Sequence, residues 1–175
     1  MSTARSPDFD IPVDEKGRDV WSKILKNLWI GGVDPKAVLS TPIKGQRHTE
    51  VWPFEATLTL YPLAHPVPWW TTEYRYGFAD GPIEDEDINE LFEAAAWAYR
   101  RWKSGDTTLI RCRRGINRSA MLLALVLMID GYTPTRAINL IRKKRSPSAL
   151  FNPDFEEFLR SSDVCARIER LKTEV

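Results

Sequence analysis

Histidine and cysteine are nearly missing from this chain, with two of each. Cys112 and Cys165 cannot build the dense disulfide framework that staples small secreted domains, and they suit a reducing compartment. His48 and His65 lie far from both cysteines in sequence, so no zinc-ligand spacing exists and no metal is expected. An excess of charge of one sign is missing too. The 25 Lys and Arg stand against 24 Asp and Glu, and a formal charge of +1 makes no whole-molecule field to draw the protein to nucleic acid or membrane. The longest apolar run, Ala120 to Ile129, is too short to span a bilayer, and the first residues carry no apolar stretch of the signal-peptide kind. These absences point to a soluble, cytoplasmic protein without membrane attachment, with a monomer favoured.

What is present suffices for one domain with a real core: 175 residues, 43% of them hydrophobic, with 7 Trp. Residues 1–19 are polar, Pro-containing and aperiodic, and read as a flexible arm. Residues 20–175 read as a single domain. Trp21 to Gly32 reads as a short strand and a turn. Asp34-Pro35 signals a brief helix through Leu39, and 40–53 a loop. Ala56–Tyr61 and Glu73–Phe78 read as strands, with prolines between them. From Asp87 the apolar residues Ile88, Leu91, Phe92, Ala95, Tyr99 and Trp102 fall on one helical face that ends at Ser104-Gly105. Thr107–Arg111 is a short strand. Ala120–Ile129 is apolar on every side and reads as a buried helix closed by Gly131. Thr133-Pro134 caps a helix to Arg145, and Asn152-Pro153 opens a last helix with Phe155, Phe158 and Leu159 on one face. The order predicts an α/β fold with a central sheet and helices packed on it.

Charge is neutral overall but uneven. Glu84 to Glu90 holds five acids and no base, whereas Arg100 to Arg118 holds seven bases and one acid. Inside the basic stretch lies Arg-Cys-Arg-Arg-Gly-Ile-Asn-Arg-Ser, residues 111 to 119. A strand ends at Cys112, a loop follows, and a buried helix begins near Ser119. Such a turn aims successive backbone N–H groups into one concavity, and the helix N-terminus adds partial positive charge. The N–H groups of Arg113, Arg114, Gly115, Ile116, Asn117 and Arg118 are therefore candidate phosphate ligands. Gly115 permits the positive φ of a tight cradle. Arg118 offers a planar fork to two phosphoryl oxygens. Cys112 sits where these charges favour a thiolate, and Ser119 is placed to donate a hydrogen bond to the sulfur. Asn117 is expected to fix loop geometry. Trp69-Trp70 can line a substrate face, although core or loop anchoring is the commoner fate of Trp.

These parts together make a Cys-x5-Arg-Ser signature, and the chain resembles the dual-specificity branch of the Cys-based protein tyrosine phosphatase superfamily. Ile24 to Gly32 is similar to that family's first strand, and Asn152-Pro153-Asp154-Phe155 to the segment opening its last helix. The resemblance spans residues 21 to 160. It implies a three-layer α/β fold with a mostly parallel sheet of about 4–5 strands. It implies a phosphatase needing no cofactor, in which Cys112 forms a cysteinyl-phosphate and Asp80, 32 residues upstream, is the general acid. Asp85 and Asp87 are alternatives for that role. A phosphorylated protein is the expected partner. The alternatives are a weakly catalytic phosphate-binding pseudophosphatase, or the same chemistry on a phosphoinositide or an RNA 5′-triphosphate, which Arg113 and Arg114 suit. One departure stands out: the family has His before the cysteine and this chain has Arg111. Strand alternation turns Arg111 away from the Cys112 face, and its buried guanidinium then needs an acidic or carbonyl partner. Arg111→His is expected to raise the rate if the loop still folds, and to destabilise the fold if Arg111 has a network of its own.

Overall fold

The computed structural model describes residues 11–14, 16–33 and 52–175. The helix expected over 34–39, most of the loop expected over 40–53, and His48 lie outside the described residues. β1 (Trp21–Leu25) and β2 (Leu28–Gly31) pair antiparallel as a hairpin, where the sequence predicted one strand. Lys26-Asn27 makes the reversal, with Asn27 at φ 59°. Asn tolerates this left-handed conformation better than other residues with a side chain, so the turn signal was in the sequence. β3 (Ala56–Thr59), β4 (Thr72–Arg75) and β5 (Thr108–Arg111) complete a sheet ordered β1-β2-β5-β3-β4. β2, β5, β3 and β4 run parallel, with β5 in the centre. The loop after β5 therefore opens at the carboxyl edge of the parallel strands, where ligands bind in open α/β sheets.

α1 (Asp85–Lys103) starts two residues before its expected first residue, with Asp85, Glu86 and Asp87 in the first turn and Arg100, Arg101 and Lys103 in the last. Both ends complement the helix dipole. α2 (Arg118–Ile129) is buried at every position from Ser119 to Ile129. The sheet and α1 cover part of it, and α3 (Pro134–Lys144), α4 (Pro153–Arg160) and α5 (Ser162–Leu171) cover the rest. This is the expected three-layer α/β architecture, with α2 held between the sheet and the outer helices. The single last helix expected from Asn152-Pro153 is instead two. Ser161 is extended, closes α4 and caps α5 by accepting from the Val164 N–H. Ser161-Ser162-Asp163 is an ordinary N-cap signal that the apolar periodicity had masked.

The sheet face toward the helices carries the larger core, and the opposite face carries Val20, Trp21, Trp29, Phe54 and Leu109, with Ile11 and Trp52 against them. The rings of Trp21, Trp52 and Phe54 meet edge to face, with centroids 4.9 to 5.5 Å apart. Among the described residues no helix is long and apolar enough to cross a membrane.

Candidate active site

β5 delivers the chain to Cys112, and residues 112–117 turn back into the N-terminus of α2. The orientation of that loop is fixed by where its carbonyls go. Arg113 O accepts from the Val33 N–H at 3.1 Å, and Ile116 O from the Leu150 N–H at 2.9 Å. Arg114 O and Gly115 O both accept from the guanidinium of Arg145, at 3.2 and 3.1 Å. Asn117 O accepts from the Met121 N–H at 2.8 Å within α2. A trans peptide carries its N–H opposite its C=O. With these carbonyls tied outward, the N–H groups of residues 114 to 118 turn to the concave side. The one whose partner lies within the loop shows it: Gly115 N–H donates to Cys112 Sγ at 3.3 Å.

Cys112 is buried, and its sulfur also lies 3.3 Å from Ser119 Oγ. Its own N–H donates to Gly31 O at 3.2 Å, which seats the loop on the end of β2. Gly31 and Gly32 allow that seat to be close. A Cβ on Gly32 would stand 3.1 Å from Arg113 O, and one on Gly115 would stand 2.4 Å from the backbone carbon of Gly31. Gly115 has φ +69°, the positive value expected from the sequence. Arg145 was not singled out in the sequence, where it reads as the last residue of an ordinary helix. Its Nη1 also donates to Asp19 O and Ser22 Oγ, so one side chain ties the loop to β1 and the segment before it. Burial holds Arg145 below the usual arginine range, with the charge of Cys112 acting the other way.

Arg118 folds back over the same concavity. Its Nη1 donates to Phe78 O at 2.9 Å and Leu60 O at 3.4 Å, and its guanidinium lies 5.6 Å from the centre of the Tyr61 ring. Its Nε is buried and has no partner among the described residues. A buried donor without an acceptor costs free energy, and the described residues leave this one unanswered.

Asp80 is joined to the loop through side chains. Asn117 Nδ2 donates to one carboxylate oxygen at 3.2 Å and Asn152 Nδ2 to the other at 3.3 Å. Asn117 thus acts through Asp80, beyond the loop geometry expected of it. Asn152 does two jobs, since its Oδ1 also caps α4 by accepting from the Asp154 N–H at 3.0 Å. Of the two alternatives to Asp80, Asp87 accepts from the Tyr76 hydroxyl and pushes that phenol up to about 12, chiefly through the hydrogen bond. Asp85 heads α1. Asp80 is the aspartate the fold connects to the cradle.

Arg111 lies under the loop with both kinds of partner that its burial demands. Nε donates to Thr59 Oγ1 at 2.9 Å, and Nη2 to His65 O at 2.8 Å and Glu73 Oε1 at 3.3 Å. Trp52 lies across the guanidinium at 5.2 Å. Burial pulls Arg111 down to about 10, and Glu73 opposes that shift. An imidazole is too short to replace these contacts and would deprive Glu73 of a cationic partner. Glu73 keeps Arg75, so Arg111→His leaves no orphaned charge and should lower stability by about 1–3 kcal/mol, the cost of leaving buried acceptors without their donor. A denaturant midpoint equal to wild type would contradict the network.

Arg113 and Arg114 are exposed, and their side chains have no polar partner among the described residues. His65 contributes its carbonyl to Arg111, not its ring. Trp69 and Trp70 are not core anchors: they pack edge to face, 91% and 53% exposed, and precede β4 at the sheet end away from the cradle.

No protein-family model and no curated protein matches this sequence. Solved structures match its fold. Human DUSP28 aligns with a TM-score of 0.66 at 19% identity, over 85% of this chain and 98% of that one. PTPMT1 aligns with a TM-score of 0.63 at 18% identity, over 89% and 99%. DUSP15 aligns with a TM-score of 0.60 at 18% identity, over 86% and 95%. PTPMT1 has also been solved in complex with PI(5)P. The expected dual-specificity phosphatase-like fold is the fold observed.

Proposed function

We propose that this chain, built on the fold of the dual-specificity phosphatases, is a cysteine-dependent phosphatase hydrolysing phosphomonoesters, with phosphorylated protein as substrate. One observation carries the reading. A buried sulfur sits at the floor of a loop whose carbonyls are tied outward, beside an arginine whose buried Nε lacks an acceptor among the described residues. A tetrahedral oxyanion fills both needs. The N–H groups take its oxygens and Arg118 takes two of them through its free edge.

The reaction follows from these positions. Cys112 Sγ, steadied by the Gly115 N–H and the Ser119 hydroxyl, attacks phosphorus and forms the S–P bond as the P–O bond to the leaving group breaks. Asp80 delivers a proton to the departing oxygen. In the second step a water attacks phosphorus, its proton goes to the Asp80 carboxylate, and the S–P electron pair returns to sulfur, where Ser119 stabilises it. Backbone N–H groups and Arg118 hold the equatorial oxygens in both steps and supply the main electrostatic stabilisation. The direct test is phosphate release from phosphopeptides, a phosphoinositide and triphosphorylated RNA, each with wild type and with Cys112→Ser. Release by wild type and none by the variant supports the reading, and equal release by both overturns it.

The Asn152–Asp80 hydrogen bond adds a prediction. Asn152→Ser keeps a side-chain oxygen to cap α4 but removes the amide donor to Asp80. If Asp80 is the acid, the loss should depend on the leaving group. Hydrolysis of phenyl phosphate should fall about tenfold, within the range that acid catalysis supplies, while an ester of a strongly acidic phenol should change little. Equal losses on both esters would show that Asn152 does not serve proton transfer.

A second reading keeps the chemistry and changes the substrate to a polyanion such as a phosphoinositide. Exposed Arg113 and Arg114 at the rim of the cradle favour it, and the same panel separates it from the first.

A further inference from the structure

Glu73 stands on β4, at the edge of the sheet, and no step above uses it. Its Oε1 accepts three hydrogen bonds: from the Thr59 hydroxyl at 2.6 Å, from Arg75 Nη1 at 2.8 Å and from Arg111 Nη2 at 3.3 Å. Each arginine then reaches the segment that leaves β3. Arg75 Nη2 donates to Ala64 O at 2.7 Å and Pro62 O at 3.4 Å, and Arg111 Nη2 to His65 O. This segment begins with Leu60 and Tyr61, the carbonyl and the ring on which Arg118 rests. Pro62 also lies where a Cβ on Gly77 would touch it at 3.0 Å, next to Phe78, whose carbonyl is the other seat of Arg118.

We propose that Glu73 is a positioning residue for Arg118: it holds two arginines together, they hold the carbonyls of Pro62, Ala64 and His65, and that segment carries the seat of the phosphate clamp. The electrostatics require a hub of this kind. Arg75 and Arg111 repel each other, and Arg111 is buried. Both donate to the same oxygen of Glu73, whose negative charge offsets that repulsion. Without the carboxylate, Arg75, which is a third exposed, turns to solvent and releases Pro62 and Ala64. Leu60 keeps the bond from its N–H to Arg111 O at 2.8 Å, but Tyr61, next to the released Pro62, loses its support, and the Arg118 fork loses the ring over which it is aimed. The inference rests on the phosphatase reading, because it gives Arg118 an oxyanion to clamp.

The test is a double-mutant cycle read by calorimetric titration of tungstate into the full chain. Glu73→Gln should bind tungstate about tenfold more weakly than wild type, a coupling of ordinary size for interacting residues. In an Arg118→Ala background the same substitution should cause no further loss. A neutral pair, Arg111→Met with Glu73→Met, separates positioning from folding, since replacing both partners of a buried pair spares stability. It should melt near wild type yet bind tungstate as weakly as Glu73→Gln, and it carries the same cycle if Glu73→Gln does not fold. Wild-type affinity in Glu73→Gln or in the neutral pair would overturn the proposal. So would an equal loss with and without Arg118, because Glu73 would then act by another route. A wild-type chain that binds no tungstate would overturn the phosphatase reading, and this inference with it.

Discussion

Serine in place of Cys112 is expected to abolish phosphate release while leaving oxyanion binding within a few-fold of wild type. The two halves of this result have separate physical origins. Turnover needs a nucleophile that carries negative charge at neutral pH, and a serine hydroxyl without an adjacent general base does not supply one. Asp80, the carboxylate joined to the cradle by a hydrogen bond, reaches it by way of Asn117, not through residue 112. The rate should therefore fall by several orders of magnitude. Binding is different, because the donors are peptide N–H groups and Arg118. Their orientation depends on Arg145, Leu150 and Val33 holding the loop from behind. None of those hydrogen bonds involves sulfur. Calorimetry with tungstate and a phosphate-release assay on the same preparation check both halves. Residual turnover at a tenth of wild type would show that another group is the nucleophile. Loss of tungstate binding would show that sulfur organises the loop.

Alanine at Gly115 should do comparable damage through geometry alone. The added Cβ would stand 2.4 Å from the backbone carbon of Gly31, 2.6 Å from Gly32 N and 2.7 Å from Gly31 O. None of these is the free end of a side chain that can swing aside. β2 is paired on both sides, to β1 and to β5, so its end cannot yield. The loop must move, and φ +69° is in any case unfavourable for a residue with a Cβ, by about 1–2 kcal/mol. Such a movement draws the residue 115 N–H away from the Cys112 sulfur, to which it donates in the wild-type chain. Removing a preorganised donor of this kind costs about 10²–10³ in kcat, so kcat should drop at least that far, with a lower melting temperature. Activity near wild type in Gly115→Ala would mean that the loop does not sit against Gly31 in the working protein.

The sequence made the centre of this site readable because its parts are contiguous. Cys112 through Ser119 is one strand-loop-helix unit whose residue types carry their own geometry, and Asp80 was picked out by the family resemblance, which implies an aspartate about that far before the cysteine. The supporting parts were not readable in the same way. Arg145 works by donating to two backbone carbonyls, and a carbonyl leaves no mark in sequence. Leu60 O and Phe78 O, the seats of Arg118, are silent for the same reason. Glu73 looked like the first residue of a strand, and only the parallel register of β3 and β4, with Thr57 opposite Glu73, brings it beside Thr59 and Arg111. Asn152 was visible as a helix cap, but its second partner lies 72 residues away. The need of Arg111 for an acidic or carbonyl partner followed from burial alone. Which partners it found, Glu73 and His65 O, required the fold. The two misread elements had local signals that a stronger pattern covered. Asn27 marked the hairpin inside an apolar run, and Ser161 marked a new cap inside an amphipathic stretch.

Everything in the mechanism depends on a bond between Cys112 sulfur and phosphorus. Wild-type protein mixed with a phosphomonoester labelled in its phosphoryl group, quenched in denaturant within the first turnover and digested, should carry the label on the peptide containing Cys112. The label should be absent from Cys112→Ser. Label on any other residue, or rapid first-turnover release of phosphate with no labelled protein at any quench time, would contradict the account.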